Sequence, residues 1–134
     1  MNEGAGEMSY QIALASSDGT HIDRHFGHSE IFYIAAVAEN GSYELIGQRA
    51  VDSPCNHGSH DEGAMQAAVT ALADCRYVLA EAIGRGAAAQ LQVRGITPLE
   101  TEGLIEDAVP QVIAYDRRSH GIRLKQKENA DDKR

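Results

Sequence analysis

The spacing of apolar and polar positions divides this chain into predicted strands and helices. Short apolar runs that end in turn residues predict buried strands, whereas apolar positions at helical spacing predict amphipathic helices. In chain order the pattern predicts strands over 10–17, 31–37 and 43–51, a helix from 59 to 75, a strand over 77–83, a helix through 88–93, a strand over 96–100 and a helix over 104–113. A hairpin followed by right-handed crossovers predicts a mixed sheet with helices on its faces.

Local signals indicate where several of these elements begin and end. The asparagine–glycine pair at 40–41 predicts a tight hairpin in which both residues have positive φ. Ser59 and Glu62 stand at the spacing of a capping box, which predicts the start of the first helix there. Pro110 weakens the last predicted helix, because a proline in a helix interior removes an amide donor and clashes one turn back.

Length and composition indicate one folded domain with two polar ends. A chain of 134 residues suits a single core, and 43% hydrophobic with 24% charged residues is typical of a globular protein and not of a disordered one. We predict a flexible N-terminus over 1–9, a folded domain over 10–116 and a flexible, charged tail over 117–134 that holds all the lysines.

Charge and hydropathy narrow the expected partners and location. The formal net charge of -8 repels phosphate backbones and anionic lipid, so nucleic acid is not an expected partner. No apolar run is long enough to span a bilayer, and the first residues lack the cationic and apolar regions of a secretory signal. We therefore expect a cytoplasmic protein with no membrane partner, whose two cysteines are free or bind metal.

Soft metal-ligand side chains gather in the segment before the first predicted helix. Cys55, His57 and His60 stand within a few residues of one another. Thiolate and imidazole groups suit iron, zinc and iron–sulfur species better than magnesium or calcium. The free amides and partial positive charge of a helix start favour a thiolate and an anionic ligand. The segment therefore predicts a site with soft donors for an anionic ligand.

The loop after the first strand supplies a second set of candidate ligands. His21, His25 and His28 lie in it, and Arg24 adds a fixed positive charge with several hydrogen-bond donors. If this loop and the segment before the first helix meet at one edge of the sheet, five histidines and one cysteine converge there.

Plainer interpretations stand beside these. A histidine in a surface loop is often only solvated, and this applies most to His21 and His60. Cys75 follows an amphipathic helix and is expected to be a small apolar core residue. Residues 84–86 are expected to form an ordinary strand-to-helix turn. The sequence contains no nucleophile elbow, Walker lysine loop or dinucleotide fingerprint, so hydrolytic and phosphoryl-transfer catalysis are not predicted.

Several stretches share a more specific pattern. The run 23–33 contains His25-Phe-Gly, the run 55–62 joins a cysteine to a glycine-containing segment, and 72–84 with 91–96 forms a helix-to-strand sequence. Together they resemble the nitrogenase iron–molybdenum cofactor biosynthesis family, which includes NifX, the core of NafY and the C-terminal domain of NifB. The likeness covers roughly residues 11 to 115.

The resemblance implies both a fold and a function. It implies a ribonuclease-H-like three-layer α/β fold with a mixed five-stranded sheet flanked by helices. It also implies a non-catalytic part in nitrogen fixation, in which the chain binds an iron–sulfur precursor of the FeMo cofactor, with or without molybdenum, and carries it between donor and acceptor proteins of metallocofactor assembly. The radical-type cysteine cluster of full-length NifB is absent, so cofactor synthesis is not expected.

The candidate cofactor-binding residues come from two sources. The resemblance carries over His25 and Cys55 as ligands or close contacts of the cluster. Local chemistry adds His28 and His57 as further donors and Arg24 as the positive charge among them.

Two other functions remain open at this point. One is a mononuclear zinc or iron site, regulatory or structural. Its metal ligands would be His25, Cys55, His57 and His60. The other is a nuclease-like enzyme that uses carboxylates such as Asp18 and Asp23 with a divalent ion, but fold analogy does not establish function and the acidic surface disfavours a nucleic-acid substrate.

Overall fold

A computed structural model describes residues 8–51 and 62–133 of the chain, with side chains at 8–51 and 63–119. Its strands are β1 (Met8–Ala15), β2 (His21–Ile22), β3 (Ile31–Ala38), β4 (Tyr43–Ala50), β5 (Tyr77–Ala80), β6 (Thr97–Glu100) and β7 (Gly103–Leu104). Its helices are α1 (Glu62–Ala71), α2 (Arg85–Val93) and α3 (Ile105–Lys133), and a short 3-10 turn covers Phe26–His28.

Five strands form one mixed sheet in the order β4-β3-β1-β5-β6. The central strand β1 pairs antiparallel with β3 and parallel with β5, and it is buried from Gln11 to Ala15. β4 adds antiparallel to β3, and β6 adds parallel to β5. The nearly continuous apolar runs of β1 and β5 are what strands covered on both faces require. The predicted mixed five-stranded sheet with flanking helices is confirmed.

Helices cover both faces of this sheet and give three layers. α1 and α2 lie on one face, where Val69, Leu72 and Leu91 are fully buried together with Phe26 and Phe32. α3 lies on the other face. The core beneath it includes Ile12, Leu14, Leu79, Ile105, Val109 and Val112. Because full burial of one such side chain contributes about 1.5–3 kcal/mol, these two cores supply the main driving force for folding.

Three elements end at least three residues away from their predicted ends. α1 ends at Ala71, before the predicted 75, and β5 ends at Ala80, before the predicted 83. α3 continues to Lys133, well past the predicted end at 113, and contains Pro110 on its exposed side. Water can replace the lost backbone hydrogen bond at an exposed position, so the helix passes through the proline.

None of the described helices is both long and apolar enough to cross a membrane. The flexibility of 117–134 stays a prediction.

The turn of the β3–β4 hairpin also differs from the predicted one. Only Gly41 of the asparagine–glycine pair has a positive φ, of 91°. Its amide donates to the carbonyl of Ala38 at 2.9 Å, and the amide of Ala38 donates to the carbonyl of Ser42 at 2.8 Å. Asn40 instead accepts the amide of Ser42 with its side-chain oxygen at 2.9 Å. The loop between the two strands therefore spans 39–42, with the glycine as its bulge residue.

A second sheet, which the sequence does not predict, consists of β2 and β7. Beside it, the first amide of α3, at Ile105, donates to the carbonyl of Thr20 at 2.8 Å. In the same loop Gly19 has a φ of 77°, and a Cβ at that position would lie 2.9 Å from the ring of Tyr33. These contacts tie the loop after β1 to the start of α3.

A buried carboxylate joins α3 to the amino end of β5. Asp116 is 6% exposed and accepts the hydroxyl of Tyr77 at 2.6 Å and the guanidinium of Arg76 at 3.0 and 3.2 Å. Burial, and then this hydrogen bond, raise the pKa of Tyr77 well above its ordinary value. The three side chains clamp α3 against the sheet.

Candidate functional site

The carboxyl ends of β1, β5 and β6 meet at one edge of the sheet, here called the carboxyl edge. Because β3 runs antiparallel to β1 and β4 runs antiparallel to β3, β3 begins and β4 ends at this same edge. The amide of Val51, just after β4, donates to the carbonyl of Glu30 at 2.9 Å. The loop that holds His25 therefore begins at the carboxyl edge, where open α/β sheets bind their ligands, and Val51 lies at the same edge.

The backbone of His25 is fixed, while its side chain is open. Residue 25 forms a parallel bridge with Ala82, just beyond β5. The amide of Phe26 donates to the carbonyl of Ala82 at 2.9 Å, and the amide of Glu81 donates to the carbonyl of Arg24 at 2.8 Å. The imidazole of His25 is nevertheless 57% exposed. A rigidly mounted but accessible imidazole is suited to receiving a ligand from solvent.

The residues around His25 explain why the loop takes this shape. The Phe26 side chain is fully buried and packs on Phe32 with ring centroids 5.4 Å apart, so it anchors the loop in the core beneath α1 and α2. The amide of His28 donates to the carbonyl of His25 at 3.0 Å, and the guanidinium of Arg24 donates to the carbonyl of His28 at 2.8 Å. The two imidazoles at 25 and 28 lie 6.3 Å apart between ring centroids.

A carboxylate that the sequence pattern does not single out stands next to His25. The Oε1 atom of Glu81 lies 3.6 Å from Nε2 of His25, and the Glu81 side chain is 37% exposed. A second carboxylate at this edge, Glu100, accepts the amide of Ile83 at 2.8 Å and braces the chain after β5. A charged residue directly after the apolar run of β5 is the one signal in the sequence that could have drawn attention to Glu81.

His21 takes part in the loop's own hydrogen bonds. Its Nδ1 lies 3.1 Å from Oδ2 of Asp18. The other carboxylate oxygen, Oδ1, accepts the amides of Thr20 and His21 at 2.8 and 2.9 Å. These backbone hydrogen bonds are the main cause that lowers the pKa of Asp18. Asp23 likewise accepts the amide and hydroxyl of Ser17, at 2.9 and 2.6 Å. Both carboxylates shape the loop, which does not support the nuclease interpretation.

Cys55, His57 and His60 lie outside the described residues, so their distances to His25 stay predictions. Among the side chains described at 8–51 and 63–119, no three or more His, Cys, Asp or Glu residues are arranged to hold a metal ion. Of the predicted nitrogen donors, His25 and His28 are exposed and lie together at the carboxyl edge.

The second cysteine and the glycine turn have the structural roles predicted for them. Cys75 is 4% exposed in the core beneath α1 and α2, where burial raises the pKa of its thiol to about 12. The thiol is therefore protonated at neutral pH. Gly84 is the N-cap residue of α2 and closes the short connection from β5.

Comparison with known families identifies residues 8–115 with one family model. That model is described as the dinitrogenase iron-molybdenum cofactor family. The matched stretch takes in the whole five-stranded sheet, both helices on one face and the first turns of α3.

The chain is also similar to curated proteins of FeMo cofactor biosynthesis. The chain is 34% identical over 110 residues to the FeMo cofactor biosynthesis protein NifB of Herbaspirillum seropedicae, a match that covers 81% of this chain and 20% of the relative. It is 33% identical over 106 residues to NifB of Azotobacter vinelandii, covering 75% and 21%. The chain thus spans about a fifth of the length of these relatives.

Solved structures support the fold. The crystal structure of PH0822 matches with a TM-score of 0.55 and 22% identity, over 78% of this chain and 90% of that one. A Methanocaldococcus jannaschii protein described as a candidate dinitrogenase matches with a TM-score of 0.54 and 13% identity, over 81% and 91%. At these identities the likeness shows a shared fold alone.

Proposed function

Because this chain belongs to the dinitrogenase iron-molybdenum cofactor family, we propose that it binds an iron–sulfur precursor of the FeMo cofactor and carries it between cluster-assembly proteins. The family takes part in nitrogenase cofactor biosynthesis, and the cluster is cargo in this proposal, not a resident cofactor. Since the NifB relatives are about five times longer than the matched region, we assign to this chain only binding and transfer, without a catalytic step.

One observation carries the proposal. An imidazole that is 57% exposed sits on a backbone held by hydrogen bonds to the end of β5, at the edge where Val51, just before the Cys55 segment, also lies. Imidazole and thiolate are suitable ligands for iron in a sulfide-rich cluster. His28 would supply a second nitrogen donor, since its ring centroid lies 6.3 Å from that of His25.

The rest of the proposed site follows from the sequence. Cys55 and His57 complete the ligand set from the neighbouring segment, His60 is a reserve donor, and Arg24 holds the turn that carries His28. The partners are a cluster donor and a cluster acceptor. We also assign the fold to the ribonuclease-H-like class, a proposal supported by the order of an antiparallel β1-β3-β4 unit followed by two parallel crossover strands.

The test uses the full chain under anaerobic conditions with a synthetic thiolate-ligated [4Fe–4S] cluster as the probe. After ultrafiltration, iron, sulfide and the visible absorption spectrum give the amount of cluster retained per chain. We expect the double substitution His25→Ala and Cys55→Ala to weaken retention by at least about tenfold, the equivalent of about 1.4 kcal/mol. His21→Ala is the matched control, because this histidine is in the same loop but is held by Asp18.

Two results would contradict the proposal. If the double variant retains as much cluster as His21→Ala, the assigned ligands are wrong. If the wild-type chain retains no cluster and instead contains one zinc ion per chain without visible absorption, the cargo is wrong and the mononuclear site takes its place.

A further inference from the structure

Glu81 is placed beside His25 by the backbone and not by a flexible side chain alone. The amide of Glu81 donates to the carbonyl of Arg24 at 2.8 Å, and the amide of Phe26 donates to the carbonyl of Ala82 at 2.9 Å, one on each side of the His25 bridge. These bonds set the separation of the two main chains. Oε1 of Glu81 and Nε2 of His25 lie 3.6 Å apart where the loop pairs with the end of β5.

Two other charged groups at this edge, Arg24 and Glu100, contact other parts of the chain. Arg24 directs its guanidinium to the carbonyl of His28, and Glu100 accepts the amide of Ile83. Within the described part of the chain, the carboxylate of Glu81 lies at ion-pair distance from the His25 ring.

A neutral imidazole has one nitrogen that carries a proton and one that can bind a metal, and a hydrogen bond to one nitrogen determines which is which. We propose that Glu81 is a positioning residue. Its carboxylate faces Nε2 of His25 from 3.6 Å, closes to a hydrogen bond with Nε2–H when iron binds, and so presents Nδ1 to an iron atom of the cargo. This inference rests on the proposed function. Without the carboxylate the ring rotates more freely about its broad χ2 torsion, and binding must then order it.

The expected effect is on affinity and not on folding. Loss of a partner that orients a metal-ligating histidine weakens metal binding by about 10–100-fold. We therefore expect Glu81→Ala to weaken retention of the synthetic [4Fe–4S] cluster by about tenfold or more. Glu81→Gln keeps an oxygen that can accept the same Nε2–H, so it should restore most of the affinity. Glu102→Ala is the control, because it removes the same charge from an exposed position just after β6.

A spectroscopic readout separates positioning from a general structural role. The cluster-loaded, one-electron-reduced protein is prepared with histidine labelled with ¹⁵N at Nδ1 only or at Nε2 only, and pulsed electron paramagnetic resonance measures the coupling to iron. We expect a strong Nδ1 coupling that His25→Ala removes, that Glu81→Ala broadens and that Glu81→Gln retains. A strong coupling from the Nε2 label of His25, or from neither label, overturns the assigned orientation.

The two proposals fail in different ways. If His25→Ala weakens cluster retention but Glu81→Ala behaves like Glu102→Ala, the role of Glu81 is refuted and the carrier function stands. If His25→Ala has no effect, the proposed ligand itself is refuted. Equal thermal midpoints of the glutamate variants and the wild-type chain show that a loss of retention is not a loss of folding.

Discussion

Replacement of Asp116 by alanine tests how α3 is held on the sheet. The carboxylate is 6% exposed and accepts the Tyr77 hydroxyl at 2.6 Å, a bond to a charged acceptor that contributes about 1.5–3 kcal/mol. The ion pair with Arg76 is partly screened, because the arginine side chain is 35% exposed, and it adds about 0.5–1 kcal/mol. We expect Asp116→Ala to lower the free energy of unfolding by about 3 kcal/mol, since it also leaves the Tyr77 hydroxyl without this acceptor.

The assay is urea unfolding of the wild-type chain, Asp116→Ala, Tyr77→Phe and the double variant. For a domain of this size the single loss corresponds to a drop of about 10 °C in the thermal midpoint. Tyr77→Phe keeps the ring and should cost about 1.5 kcal/mol. Because both substitutions break the same hydrogen bond, the double variant should be about 1–2 kcal/mol more stable than the sum of the single effects predicts.

Two results would refute this reasoning. A loss below about 1 kcal/mol for Asp116→Ala would mean that the clamp does not stabilise the docked helix. Additive single effects would mean that Tyr77 and Asp116 do not interact in solution.

Three further predictions concern other parts of the fold. Gly19→Ala should destabilise the chain by about 1–3 kcal/mol, because φ is 77° and the new methyl group would clash with the ring of Tyr33. A free energy of unfolding equal to that of the wild type would contradict this. The hydrogen bond from Arg49, at 2.6 Å, is the main cause that lowers the pKa of Asp74 to about 2, below the ordinary Asp value of about 3.9. The stability contributed by Asp74 is therefore complete above about pH 4 and is lost as the pH falls through about 2. The free energy of unfolding of the Asp74→Asn variant should not show this decrease at low pH. In a Cys55→Ala background, Cys75 should not react with a thiol reagent at pH 8 until denaturant is added, because burial raises the pKa of its thiol to about 12. Rapid labelling of the native chain would show that this thiol is not buried.

The layered fold could be predicted from sequence because its signals are local. Each signal indicates a secondary structure within one short stretch of sequence, as do the apolar run of β1 and the helical spacing of Met65, Val69 and Leu72. The core role of Cys75 could also be predicted, since it follows directly from the apolar face of α1. Boundaries were harder to predict, because the ends of α1 and α3 depend on packing as well as on residue preference.

The candidate site was only partly accessible to sequence reasoning. His25 and His28 stand out as metal-ligand types in a loop at a strand end, and the structure places both at the carboxyl edge. Glu81 belongs to a different element, and its position beside His25 depends on how the loop pairs with the end of β5. The role of Asp18 in holding His21 was missed for another reason, since a carboxylate in a surface loop looks the same whether it binds a cation or its own backbone.

The sequence alone specifies the alternation of strands and helices, the apolar faces that bury them and the residue types available to bind a cluster, because periodicity and side-chain chemistry are properties of neighbouring residues. Which of those residues meet depends on the tertiary structure. The β2 and β7 pair, the contact of Glu81 with His25 and the clamp between Tyr77 and Asp116 each join residues far apart in the chain. Such contacts depend on how the packed layers bring distant backbone segments together, which no short window of sequence records.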